Sequence, residues 1–116
     1  MILGSLLRNI SNDLCERFKI KPISVPDYST NVSHMFYITT NGVQTREHWR
    51  QSFNRHGIQA VSHYVPLSNS ICGKRLGRSL REPINSQIFS DSILRFPLYI
   101  ELNMENIKYS IHKTLR

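Results

Sequence analysis

His34-Met-Phe-Tyr-Ile-Thr-Thr-Asn-Gly42 is aromatic and β-branched as far as Thr40 and then meets an Asn-Gly pair. Such side chains suit a pleated, packed surface, and Asn-Gly accepts the positive φ of a tight turn. The stretch therefore predicts a strand closed by a turn. Its near-continuous apolar character predicts a central strand. Upstream, residues 19–32 hold Pro22, Pro26, Asp27, Ser29, Thr30 and Asn31, which predict turns and extended chain, because a residue before proline is pushed out of the helical region. Further back, Leu3, Leu6, Leu7, Ile10, Leu14 and Phe18 recur at three- and four-residue steps, the spacing of one helix face, with Arg8, Asn9, Asn12, Asp13, Glu16 and Arg17 mostly opposite. That helix is expected to end near Lys19. No capping side chain is found at Met1 or Ile2.

Downstream of the turn, Thr45 is the expected N-cap of a second helix, with Glu47 in its first turn, and Trp49, Phe53 and the end at His56-Gly57 fit three turns stopped by glycine. Ile58 to Val65 alternates and is β-branched, which predicts a second strand. Asn85 is the expected cap of a helix running to about Leu94, with Ile88, Ile93 and Leu94 facing inward. Phe96 to Leu102 reads as a third strand, placed at an edge or at its own start by Pro97. Asn103 then caps a last helix through Ile107, Ile111 and Leu115. No strand is followed by a glycine-rich nucleotide fingerprint. The fold expected is α+β: a small mixed or antiparallel sheet of about three strands with helices packed on it.

The 116 residues fit one domain, and 40% hydrophobic content is enough to offset the entropy of ordering. Cys15 and Cys72 are far apart and share no metal-ligand spacing, so free thiols of a reducing compartment are expected. The apolar start, Met1 to Leu7, has no cation before it and runs into Arg8 without a small-residue cleavage site, unlike a signal peptide. No run approaches the roughly 18 apolar residues of a membrane span. A soluble, cytoplasmic protein without membrane contact is the expectation.

A formal charge of +7 draws anions of any kind, so the question is where the cations gather. They gather within His63-Tyr-Val-Pro-Leu-Ser-Asn-Ser-Ile-Cys-Gly-Lys-Arg-Leu-Gly-Arg-Ser-Leu-Arg81. His63 and Tyr64 stand at the mouth of a loop, where a strand end can present side chains to a cleft. Lys74, Arg75, Arg78 and Arg81 follow, flanked by Gly73 and Gly77, so that backbone and guanidinium groups could both approach a phosphate or carboxylate. A solvated basic loop is the plainer reading. The loop lacks interleaved aromatic rings, which argues against stacking on nucleic-acid bases.

Enzyme signatures are missing elsewhere: there is no Gly-x-Ser-x-Gly elbow, His-Glu-x-x-His helix, Walker loop or Rossmann glycine triplet. The eight carboxylates are scattered without an acid–base pair. His34, His48, His56 and His112 fall on a strand start or helix surfaces, as do the lysines Lys19, Lys21, Lys74, Lys108 and Lys113 on turn, loop or helix surfaces. None of the lysines sits where a buried nucleophile is expected.

Four segments in order, 34–38, 57–67, 73–77 and 92–99, make the chain resemble the C-terminal region of the DegT/StrS-type sugar aminotransferases. They read His34-Met-Phe-Tyr-Ile38, Gly57-Ile-Gln-Ala-Val-Ser-His-Tyr-Val-Pro-Leu67, Gly73-Lys-Arg-Leu-Gly77 and Ser92-Ile-Leu-Arg-Phe-Pro-Leu-Tyr99. That family has the aspartate-aminotransferase fold (fold type I): a large domain carrying pyridoxal phosphate on a lysine, then a small C-terminal α+β domain. The resemblance implies that residues 1–19 are the end of the connecting helix and 20–116 the small domain, with the large domain absent, which would account for the uncapped start. It further implies that His63 and Tyr64 touch a nucleotide-sugar substrate, that catalytic groups and cofactor lie in the large domain, and that this chain alone is inactive. Where the family reads Pro-Leu-His and then a Pro-x-Gly turn, this chain has Ser68 and Ile71-Cys72-Gly73, the mark of a diverged fragment. Two other readings stay open: half of a split aminotransferase whose large domain is a separate polypeptide, and a small basic module that binds anions or nucleic acid through Lys74 to Arg81.

Overall fold

The computed structural model describes residues 9, 12, 15, 16, 20, 26–29, 34–99 and 101–114. Among them the chain is mixed α and β. The order is β1 (Phe36–Thr39), α1 (Val43–Arg55), a 3-10 turn (Leu67–Asn69), α2 (Ile71–Leu76), α3 (Ile84–Ser92), β2 (Ile93–Phe96) and α4 (Met104–Thr114). The two strands pair antiparallel, Phe36 opposite Phe96 and Thr39 opposite Ile93. The α+β class therefore stands, on a smaller sheet than the three strands expected.

The sheet is smaller because the segment after α1 is hydrogen-bonded to the helix it leaves. Asn54 donates from Nδ2 to the Ala60 carbonyl at 3.1 Å and accepts the Ala60 amide at 3.2 Å, occupying both groups that a ladder would use. The expected strand from Ile58 to Val65 thus shrinks to one antiparallel bridge, Val61 with Arg95, closed by bonds of 2.8 and 2.9 Å. This bridge lies on the far side of β2 from β1. Among the described residues the central strand is therefore β2, and β1, expected to be central, pairs on one side.

Three other boundaries move. Helix α1 begins two residues before Thr45, on Gly42, whose φ of 100° is open to glycine, so Thr45 is an inner helical residue instead of the cap. Glu47 then falls beyond the first turn, where it pairs with Arg50 at 2.8 Å and Arg46 at 3.6 Å. Helix α3 starts after Pro83 with no side-chain cap, leaving Asn85 exposed inside it, and it ends at Ser92. Ile93 and Leu94 are buried as expected, but as β2 residues, and Ile88 lies 60% exposed instead of facing inward. The expected third strand from Phe96 to Leu102 is replaced by β2, which stops at Phe96 because Pro97 has no amide to continue a ladder. A six-residue helix, α2, occupies the segment expected to be loop.

The ends of α1 and α4 form as their residues dictate. Gly57, at φ 80°, donates to Asn54 at 3.1 Å while Ile58 donates to Phe53 at 3.0 Å, the double closure of a glycine-stopped helix with its apolar contact between Phe53 and Ile58. Asn103 Oδ1 accepts the amides of Glu105 and Asn106 at 3.1 and 3.2 Å, the expected cap of α4. The core gathers between sheet and helices: Phe36, Ile38, Leu94 and Phe96 from the strands, Phe53 from α1, Ile107 and Ile111 from α4, with Ile58 and Ala60 from the segment that Asn54 holds. Phe53 meets Phe96 edge-on at 5.0 Å. Of the first expected helix, Asn9, Asn12, Cys15 and Glu16 are helical, with Cys15 packed on the core and the other three exposed. Its apolar face, Leu3 to Phe18, lies outside the described residues, as do Lys19, Lys21 and Leu115. Between them Pro26–Ser29 form a turn closed by a 2.9 Å bond.

Candidate functional site

The rings of His63 and Tyr64 stack, with centroids 4.3 Å apart and planes 14° from parallel. Two contacts hold them. Arg95 of β2 donates from Nη1 to His63 Nδ1 at 3.3 Å, which leaves the imidazole proton on Nε2. Ser90 of α3 donates its hydroxyl to the Tyr64 carbonyl at 2.6 Å. His63 is half-buried and Tyr64 exposed, so the pair offers a phenol and a ring face to solvent. Such a surface can grip a hydroxylated ring through hydrogen bonds and stacking. Arg95 was hidden in the sequence inside an expected helix-to-strand junction. Its presence beside His63 follows from the Val61 bridge, which sets residues 61–63 alongside β2.

The four cations are only partly brought together. Lys74, Arg78 and Arg81 line an open groove of about 950 Å³ between α2, the following loop and the start of α3, while Arg75, on the same short helix, does not. His63 and Tyr64 also stand outside it. Glu82 is the one carboxylate in the lining, and no ion pair to Lys74, Arg78 or Arg81 occurs among the described residues.

The glycines of this loop have another use than the one expected. Ser70 caps α2 by accepting the Gly73 amide at 2.9 Å and donates to the Leu67 carbonyl at 2.9 Å. A Cβ on Gly73 would lie 1.7 Å from that carbonyl oxygen. The bare Cα is required for the turn to pack on the helix, so its amide is spent internally instead of being offered to an anion. Gly77 is extended, and its nearest neighbour to a Cβ is at 3.6 Å.

The three lysines among the described residues, as candidates to carry pyridoxal phosphate, all lie at the surface. Lys74 is exposed on the groove, Lys108 pairs with Glu105 at 3.4 Å and Lys113 lies over the Tyr109 ring at 4.7 Å. No group of three or more histidine, cysteine or acidic side chains among the described residues could hold a metal ion, and no described helix is long and apolar enough to cross a membrane. No protein-family model matches the chain.

Proposed function

We propose that the chain is a C-terminal domain of a pyridoxal-phosphate-dependent sugar-nucleotide aminotransferase of the DegT/StrS type, nearest in kind to the dTDP-4-amino-4,6-dideoxygalactose transaminases. It contributes contacts to the nucleotide-sugar through His63 and Tyr64 and performs no transamination by itself. The ordered match of the four segments from His34 to Tyr99 carries this reading. The α+β class and the stacked His63–Tyr64 pair support it. The chemistry is assigned to a lysine-bearing large domain outside these 116 residues.

The test is to fuse the chain behind the large domain of a DegT/StrS aminotransferase deprived of its own small domain. Restored transamination, lost again in His63→Ala and Tyr64→Phe fusions, is the expected outcome. A folded fusion with no activity would remove the family assignment. The unfused chain, mixed with pyridoxal phosphate, is expected to form no reducible aldimine, and formation of one would overturn its incompetence. A second reading, a small basic anion-binding module, is favoured by the groove cations. It predicts polynucleotide binding that weakens steeply with salt and with Arg78→Ser and Arg81→Ser.

A further inference from the structure

Residues 67–84 form turn, helix and loop, yet none of them is buried. Leu67, Ile71, Leu76, Leu80 and Ile84 are between 59% and 98% exposed. Aliphatic side chains scattered singly over a surface call for no explanation, but five within one folded segment, four of them lining a single groove, form the kind of patch that marks an interaction surface. The groove shares its walls with Lys74, Arg78 and Arg81, so its occupant must offer carboxylates or other anions beside apolar side chains.

Shape and charge select among occupants. A bilayer surface is flat, whereas this site is a groove of about 950 Å³ between α2, the following loop and α3, a form that takes an inserted segment. A second copy of the chain, with 15 basic against 8 acidic residues, would bring like charge to the cations. A free phosphate would leave the leucines uncovered. We propose that residues 67–84 are a docking arm that holds an acidic, amphipathic segment of a partner polypeptide, with leucine-type side chains in the groove and carboxylates on Lys74, Arg78 and Arg81. This role is independent of the aminotransferase reading, since it uses neither His63 nor Tyr64.

The full chain, isotope-labelled, is titrated with a synthetic amphipathic peptide carrying Leu at helical spacing and Glu between. Control peptides place Lys for Glu, or Ser for Leu. The Leu/Glu peptide is expected to shift amides of residues 67–84, and both controls to bind at least about tenfold more weakly. Leu76→Ser with Leu80→Ser, and separately Arg78→Ser with Arg81→Ser, are each expected to weaken binding by about tenfold or more. Arg75→Ser, outside the groove, should leave it unchanged. These side chains are exposed, so the variants keep the fold, which circular dichroism checks. Absence of amide shifts in this arm, equal binding of the Lys peptide, or tighter engagement of the same residues by anionic phosphatidylserine vesicles or polynucleotide would overturn the proposal.

Discussion

Asn54 shows how one side chain redirects a fold. Its amide group imitates a strand partner, filling the N–H and C=O of Ala60, a residue with no exposed surface. Asn54→Ala would leave the Ala60 carbonyl without that donor while its amide keeps the Ile58 carbonyl at 2.8 Å. The expected loss is about 1–3 kcal/mol, since an unmade bond in a buried site forfeits its desolvation. Urea denaturation checks it, and an unchanged midpoint would mean that the pairing contributes nothing. Nothing in the spacing of Asn54 announces this role, because a polar residue in the last turn of a helix has the same sequence signature whether it faces water or a neighbouring backbone. His63 was legible as a candidate by its place at a loop mouth. Its partner Arg95 was not, since the two are 32 residues apart and meet only through the Val61 bridge.

At the scale of elements, the helix in the basic loop depends on a glycine against its intrinsic preference. Alanine at an interior helical position is favoured over glycine by about 1 kcal/mol. At Gly73 that preference is overruled by the Leu67 carbonyl, 1.7 Å from any Cβ. Gly73→Ala should therefore separate the turn from α2 and speed hydrogen exchange at Gly73 and Lys74, whose amides bond Ser70. Core amides such as Arg95 should keep their protection, because the arm contributes no buried residue. Gly77→Ala should have little effect, having only ordinary contact at 3.6 Å. Elements announced by strong local signals formed where expected: the glycine stop of α1, the Asn103 cap of α4, and β1 before Asn41-Gly42. The short elements α2 and β2 did not, since too few side chains fall in them to establish a period.

For the whole molecule, stability rests on the core of the described residues, in which Phe53 is wholly enclosed and touches Phe96 of the central strand. Phe53→Ala should cost about 3–5 kcal/mol through lost burial and the cavity left behind, a large part of what a domain of this size holds. Thermal unfolding measures it, and a shift of only a degree or two would show that α1 is not pinned to the sheet. The arm at residues 67–84 stands apart from that core, so its surface can change without lowering stability. By itself the sequence determined the α+β class, the glycine stop of α1, the Asn103 cap of α4 and the presence of a basic loop after His63-Tyr64, because glycine stops and Asn caps act within a few residues. Only the tertiary structure decided that the second strand would shrink to one bridge, that β2 would begin at Ile93, and that three of the four cations would share a groove with aliphatic side chains. Those outcomes turn on which distant backbone groups win a given hydrogen bond, a competition between Asn54, Arg95 and Val61 that no local pattern records.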